Sequence, residues 1–174
     1  MEKKEETSSL LKKLDDVDKE ILRVLQKHCN KSLDEITKEV KDNLKREKLP
    51  RTTVHTKIKR LEDMEIIQGY RAILDGKLLG KEVTAFIFLN YEKIPDVYSK
   101  DAADKVIREL KDIVAIQEIH ILAGEKDILI KAKADNVDSL GRLVLNKLRR
   151  TERISASVTS IVFTSPLEDT RIDV

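Results

Sequence analysis

The chain has 174 residues, 40% of them hydrophobic and 38% charged, with a formal net charge of +2. That balance supports a globular core and excludes a disordered chain. Its longest apolar runs are a few residues, such as Ile119 to Ala123 with His120 inside, far short of the roughly 20 that cross a bilayer. Residues 1–14 mix lysine and glutamate without an apolar centre, so the expectation is a cytoplasmic protein with no secretory signal and no membrane contact.

Residues 1–14 read as a flexible tail. Asp15 is a helix N-cap, and Val17, Ile21, Leu22, Val24 and Leu25 then recur at three- and four-residue steps, predicting a first helix that ends near Cys29. Ser32 opens a capping box with Glu35, and Leu33, Ile36, Val40 and Leu44 carry a second helix into the basic stretch at 41–48. Pro50 marks the start of a third helix whose inner side is Val54, Ile58 and Leu61. Ile66 to Asp75 is rich in strand formers and reads as a wing, making residues 15–75 a winged helix-turn-helix unit.

Residues 76–82 form a linker with two glycines, Gly76 and Gly80. Alternation then takes over: Val83, Ala85, Ile87, Leu89 and Tyr91 point one way and Thr84, Phe86, Phe88 and Asn90 the other, a strand expected to be covered on both faces. A helix follows at 101–110 with Ala102, Val106, Ile107 and Leu110 apolar. Strands at 113–122 and 128–134 are joined by a glycine-containing turn, a helix at 137–148 carries Leu140, Val144, Leu145 and Leu148, and a last strand spans 155–164. The order βαββαβ over residues 83–165 is that of a ferredoxin-like domain, and 166–174 is left as a C-terminal tail. The fold class is therefore α+β.

Charge divides along the chain. From Lys41 to Arg60 eight cations face two anions, whereas Gly76 to Val174 holds 16 of each sign. Only the N-terminal half asks for a polyanion. With its apolar side turned inward, the third helix presents Arg51, Thr52, Thr53, His55, Thr56, Lys57, Lys59 and Arg60. Such donors suit base edges near the start of the helix and phosphates near its end, so double-stranded DNA is the expected partner.

Enzyme chemistry has no comparable support. Neither a dinucleotide-binding glycine motif, a P-loop nor a nucleophile elbow occurs, and acid pairs such as Asp15–Asp16 and Glu168–Asp169 are only adjacent in sequence. Cys29 has no partner for an intramolecular disulfide and, with His28, His55 and His120, matches no ligand spacing, so no metal and no cofactor is expected.

Several strings together resemble the Lrp/AsnC, or feast/famine, family of leucine-responsive transcription regulators. They are Leu14-Asp-Asp-Val-Asp18, Ile21-Leu-x-x-Leu-Gln26, Val54-His-x-Lys-Ile-Lys-Arg-Leu-Glu62, Ile66-Ile-Gln-Gly-Tyr-Arg-Ala-Ile-Leu-Asp75 and Leu79-Gly80. The resemblance runs from about Leu14 to Thr164. It implies that the C-terminal domain is the family's RAM-type effector-sensing domain, joined sheet to sheet in a dimer and in some relatives assembled into octamers. It further implies an amino acid or related metabolite bound between subunits. The turn Ala123, Gly124, Glu125, Lys126 and Asp127 resembles the family's Gly-x-x-Asp turn in that pocket, and Thr159 and Ser160 match positions near it. A tight hairpin turn accounts for Gly124 and Asp127 equally well without a ligand.

The chain also departs from the family. Val40 and Val54 stand further apart than usual, leaving room for Lys45, Arg46 and Lys48 to approach the DNA backbone. Pro50 stands where relatives carry a capping serine, and Glu65 where they carry a helix-ending glycine. Two other readings stay open at this point: an architectural protein coating DNA without a discrete site, and a metabolite-binding module whose winged helix docks protein. The residues leave open the effector, the target genes and the direction of regulation.

Overall fold

The computed structural model describes residues 14–91, 99–151 and 154–174. The segment 1–13, read as a tail, lies outside them. Two compact units emerge: the chain up to Ile73 with Asp169–Val174, and Leu74–Glu168.

The first unit contains helices α1 (Asp16–Lys27), α2 (Leu33–Asn43) and α3 (Arg51–Asp63). The expected N-cap at Asp15 and the expected box at Ser32 both form, and the Asp15 cap is itself a reciprocal box with Asp18. The Asp15 carboxylate accepts the Asp18 amide at 2.9 Å while the Asp18 carboxylate accepts the Asp15 amide at 3.0 Å, and Ser32 and Glu35 reciprocate in the same way. Pro50 occupies the N-cap of α3, just before the first helical residue, and gives it no side-chain cap. The apolar stripes meet in one cluster of Val17, Ile21, Leu22, Val24, Leu25, Ile36, Val40, Val54 and Leu61, with Leu33, Leu44 and Ile58 packed against it. At both C-terminal ends the chain turns left-handed at a residue that is not glycine, Lys45 (φ 51°) after α2 and Glu65 (φ 56°) after α3. The stretch 41–48 thus splits: α2 runs through Asn43, and Lys45, Arg46 and Lys48 follow as an exposed turn.

Residues 66–75 do not form the expected strands. Ile66 and Ile67 pack onto the α3 cluster, and the chain then runs on without a paired neighbour among the described residues. Strand-forming residue types do not suffice, because a strand also needs a partner for its backbone groups. The segment is held instead by side chains: the Tyr70 hydroxyl donates to Glu62 at 2.8 Å, and the Cys29 thiol lies 3.7 Å from the Arg71 carbonyl oxygen.

In the second unit β1 (Val83–Tyr91), α4 (Ser99–Lys111), β2 (Ile116–Ile121), β3 (Ile128–Ala134), α5 (Val137–Arg142) and β4 (Ile154–Ile161) follow in the expected βαββαβ order. The sheet is antiparallel with strand order β2-β3-β1-β4, the ferredoxin-like arrangement. Its helix-covered face buries Ala85, Ile87, Leu89, Ile128, Ile130, Ala132 and Ala134 against Val106, Leu110, Leu140, Leu143 and Leu148. The opposite face of β1, with Thr84, Phe86, Phe88 and Asn90, is only partly buried, so β1 is not covered on both sides.

The last helix also departs from expectation. After Arg142 the chain makes a π-helical turn over Leu143–Lys147 and a 3-10 turn over Leu148–Arg150. Hydrogen bonds reaching five residues rather than four advance the inner face by one position. Leu143 and Leu148, five positions apart, both face the core, while Leu145, one of the apolar residues expected to mark this helix, is exposed.

Candidate nucleic-acid interface and effector turn

Helix α3 is anchored by Val54 and Leu61, both fully buried, with Ile58 half-buried between them. Around that anchor Arg51, Thr52, His55, Thr56, Lys59 and Arg60 are exposed, while Thr53 and Lys57 are half-buried. Arg51 pairs with Asp34 at the start of α2 across 3.1 Å, with both side chains well exposed, so water screens the pair and leaves the guanidinium available.

Lys57 is placed differently. Its ammonium lies 2.6 Å from Asp15 and 3.0 Å from Asp18, and its side chain is 17% exposed. Asp18 has no solvent exposure at all, and its second oxygen accepts the Arg60 guanidinium at 2.7 Å. One buried carboxylate on α1 therefore holds two cations of α3, and an N-cap carboxylate supports one of them. Desolvation pushes the Asp15 acid upward, but hydrogen bonds from Lys57 and the Asp18 amide, with the charge of Lys57, outweigh it and bring it down from 3.8 to about 2. Thr52, Thr53, Thr56, Lys57 and Arg60 line a shallow concavity beside this cluster. Lys45, Arg46 and Lys48 are all exposed on the turn after α2.

Sequence reasoning found the basic helix but missed the two buried acids of α1, Asp18 and Glu20. Glu20 is 8% exposed and receives Asn43 at 2.7 Å and Arg23 at 3.2 Å. The available signal was the position of Asp18 and Glu20 among the apolar residues Val17, Ile21 and Val24 of one stripe.

In the second unit the turn Ala123–Asp127 closes the β2–β3 hairpin. The Leu122 amide donates to the Asp127 carbonyl at 2.8 Å, and the Asp127 amide to the Leu89 carbonyl at 3.0 Å. Ala123, Gly124 and Glu125 are exposed, and Lys126 and Asp127 half-buried. Lys126 lies 3.4 Å from Glu125. A Cβ on Gly124 would meet nothing within 4 Å, so the glycine is not demanded by packing.

Thr159 pairs with Ile87 and Ser160 with Phe86 in the register of β4 on β1, and both are exposed. Because β1 separates β4 from β3, they stand two strand spacings, about 10 Å, from the β3 lane that carries the turn. Within one chain the two predicted parts of the effector site are therefore not brought together.

The partly covered sheet face carries a charge cluster that sequence reasoning also missed. Glu118 lies 3.4 Å from Lys131, and Glu168, assigned to the tail, lies 3.0 Å from Lys131 and 3.9 Å from Lys133. The Asn90 Oδ1 on that face is buried without a hydrogen-bond partner. Among the described residues no three His, Cys, Asp or Glu side chains gather as a metal site, and no helix is long and apolar enough to cross a membrane.

A three-helix unit with an outward basic helix, followed by a ferredoxin-like domain, defines a helix-turn-helix transcription regulator with an appended sensing domain. Residues 84–172 match the family model described as the Lrp/AsnC ligand binding domain. The chain is 32% identical over 156 residues to an HTH-type transcriptional regulator of Pyrococcus furiosus, covering 90% of this chain and 97% of that one. In fold it is similar to a transcriptional regulator of Neisseria meningitidis solved as an L-Met complex, with TM-score 0.81 at 23% identity over 91% of this chain and 96% of the other. It is likewise similar to AsnC of E. coli, with TM-score 0.76 at 24% identity over 90% and 97%. The chain belongs to the Lrp/AsnC family of transcription regulators.

Proposed function

We propose that this regulator is a cytoplasmic, non-enzymatic protein that binds double-stranded DNA through α3 and is modulated by an amino acid or a related small metabolite at its C-terminal domain. The observation that carries the DNA part is the face of α3, where Arg51, Thr52, His55, Thr56 and Lys59 are exposed behind a fully buried Val54–Leu61 anchor. An ordinary solvated helix mixes both signs, whereas this face is donor-rich from Arg51 to Arg60. Thr53 at the edge of that face, with Lys57 and Arg60, completes the predicted set, and Lys45, Arg46 and Lys48 sit on an exposed turn suited to phosphates.

Residues 15–75 act as the DNA-binding unit, 76–82 as the linker and 83–165 as the dimerising and sensing domain. The partly covered sheet face, with Phe86, Phe88 and Val158, is the surface for a second copy, because apolar strand residues on an uncovered face gain by burial. A dimer sets two copies of α3 in successive major grooves of a pseudopalindromic site, and larger assemblies such as octamers build on it. The Ala123–Asp127 turn of one subunit and Thr159 and Ser160 of another then form one effector site, which accounts for their separation within a single chain. Methionine is the first ligand to try, since the Neisseria relative was solved with it.

Footprinting with the purified chain tests the reading. A discrete protected site that responds to one of the twenty L-amino acids, and that Arg51→Ala and Thr56→Ala abolish, is the expected result. Uniform coverage of arbitrary DNA would favour the architectural alternative, and no salt-dependent binding at all would remove the DNA assignment.

A further inference from the structure

The α1–α3 cluster has a charge balance that a purely phosphate-seeking helix would avoid. Lys57 and Arg60 carry two positive charges, and Asp15 and Asp18 return two negative ones at 2.6, 3.0 and 2.7 Å. Asp18 reaches them from full burial, so its carboxylate has no water to turn to and must keep its cations. The same two cations line the concavity with Thr52, Thr53 and Thr56, whose three hydroxyls and two charged groups are the donors an oxyanion needs. A phosphate oxygen arriving there meets cations already occupied by carboxylates of this chain.

We propose that Asp15 and Asp18 set the electrostatic share of DNA binding: they act as an internal phosphate substitute that keeps Lys57, and part of Arg60, from contributing their full charge to phosphate contacts. Non-specific affinity rises with the number of cations that displace counterions from DNA, equally for every sequence. Base readout by Arg51, Thr52, His55 and Thr56 does not depend on those counterions. Withdrawing a cation from the phosphate count therefore lowers affinity for target and arbitrary DNA alike, and leaves discrimination to the base-facing side chains. This inference rests on α3 being the helix that meets DNA.

Asp15→Asn is the informative variant, since asparagine caps a helix as well as aspartate and the α1 start survives. It leaves two cations against one carboxylate. The measurement is the slope of log affinity against log salt for the full-length chain on a duplex of arbitrary sequence. If one phosphate contact is gained, the slope steepens by about 0.9, equivalent to roughly eightfold tighter binding at 0.1 M salt.

Two further variants isolate the cause. Asp16→Asn makes the same charge change on a neighbour that contacts neither cation, and is expected to leave the slope near that of the parent. Adding Lys57→Gln to Asp15→Asn is expected to cancel the gain. An unchanged slope in Asp15→Asn, an equal change in Asp16→Asn, or a gain that survives the added Lys57→Gln overturns the proposal. Insensitivity of DNA binding to Arg51→Ala and Thr56→Ala together sinks the α3 reading itself, which is a different result from an Arg51-sensitive interface with an unmoved Asp15→Asn slope.

Discussion

Lys57 of α3 is held 3.0 Å from the wholly buried carboxylate of Asp18 on α1, so the helix that faces outward with its donors is fastened inward by one of its own cations. The pair joins residues 39 positions apart, and Arg60 doubles it from one turn further along α3. The packing of α1 on α3 and the proposed DNA face thus share a cluster.

Removing the buried acid exposes the first consequence. Asp18→Ala leaves Lys57 with Asp15, takes from Arg60 its carboxylate partner and deletes half of the α1 capping box, and is expected to cost about 1–3 kcal/mol. Urea unfolding followed by circular dichroism should show the midpoint falling with an unchanged slope. A midpoint equal to the parent's would mean that the cluster contributes nothing net.

The acid limb of the stability curve should carry a contribution from Asp15. In the folded chain its carboxyl titrates near 2 rather than 3.8, so the folded state binds fewer protons than the unfolded one in that window. The stabilisation is complete above the ordinary aspartate range and is lost as pH falls from 3.8 through about 2. Unfolding free energies measured between pH 5 and roughly 2 should decline less steeply in Asp15→Asn than in the parent chain; identical acid limbs would contradict the assignment.

The two left-handed helix ends offer stabilisation. The Arg46 amide donates to Lys41 and the Ile66 amide to Leu61, each at 3.0 Å, closing the helix ends around Lys45 and Glu65. A side chain in that conformation is strained, and glycine relieves it at some cost in unfolded-state entropy. Lys45→Gly and Glu65→Gly should each add about 0.5–1 kcal/mol, additively because they lie on separate helix ends. Calorimetric melts showing either variant less stable would argue against strain at that turn.

The proposed association through the sheet face can be tested with a charge. Phe88 sits opposite Leu129 on β3 and Val158 on β4, at the middle of the partly covered face. Phe88→Asp should convert dimers into monomers in sedimentation velocity, while the helix content of the monomer is preserved. Persistent dimers would place the interface elsewhere.

At the effector turn, size can be separated from fold. Since a Cβ at Gly124 meets nothing within 4 Å, Gly124→Ala should melt at the parent temperature in the absence of ligand. If the turn lies against an effector, the same variant should lose the rise in melting temperature that the parent shows with its preferred L-amino acid. A ligand-free melting temperature several degrees lower would instead assign Gly124 a structural role.

Much of this architecture is legible in the amino-acid order. The stripes of α1, α2 and α3, the boxes at Asp15 and Ser32, and the limits of β1 at Val83–Tyr91 and β3 at Ile128–Ala134 follow from periodicity and capping. Each of these features is decided by residues two to four positions apart, so the local sequence contains all of the cause. The donor-rich face of α3 was legible for the same reason.

Other features depend on where separate elements come to rest. Composition counts Lys57 among the cations of a basic helix, and only the packing of α1 against α3 turns it to Asp18. Residues 66–75 have strand-forming side chains, but pairing requires a neighbour that the described chain does not supply. The π-helical turn brings Leu143 and Leu148, five positions apart, to the same core face, a spacing that periodicity at 3.6 does not register. Sequence by itself therefore determined the elements and the donor chemistry of α3, because those are short-range. Tertiary structure decided which charges remain for DNA and which sheet face remains for a partner, because both depend on surfaces that exist only once distant segments have packed together.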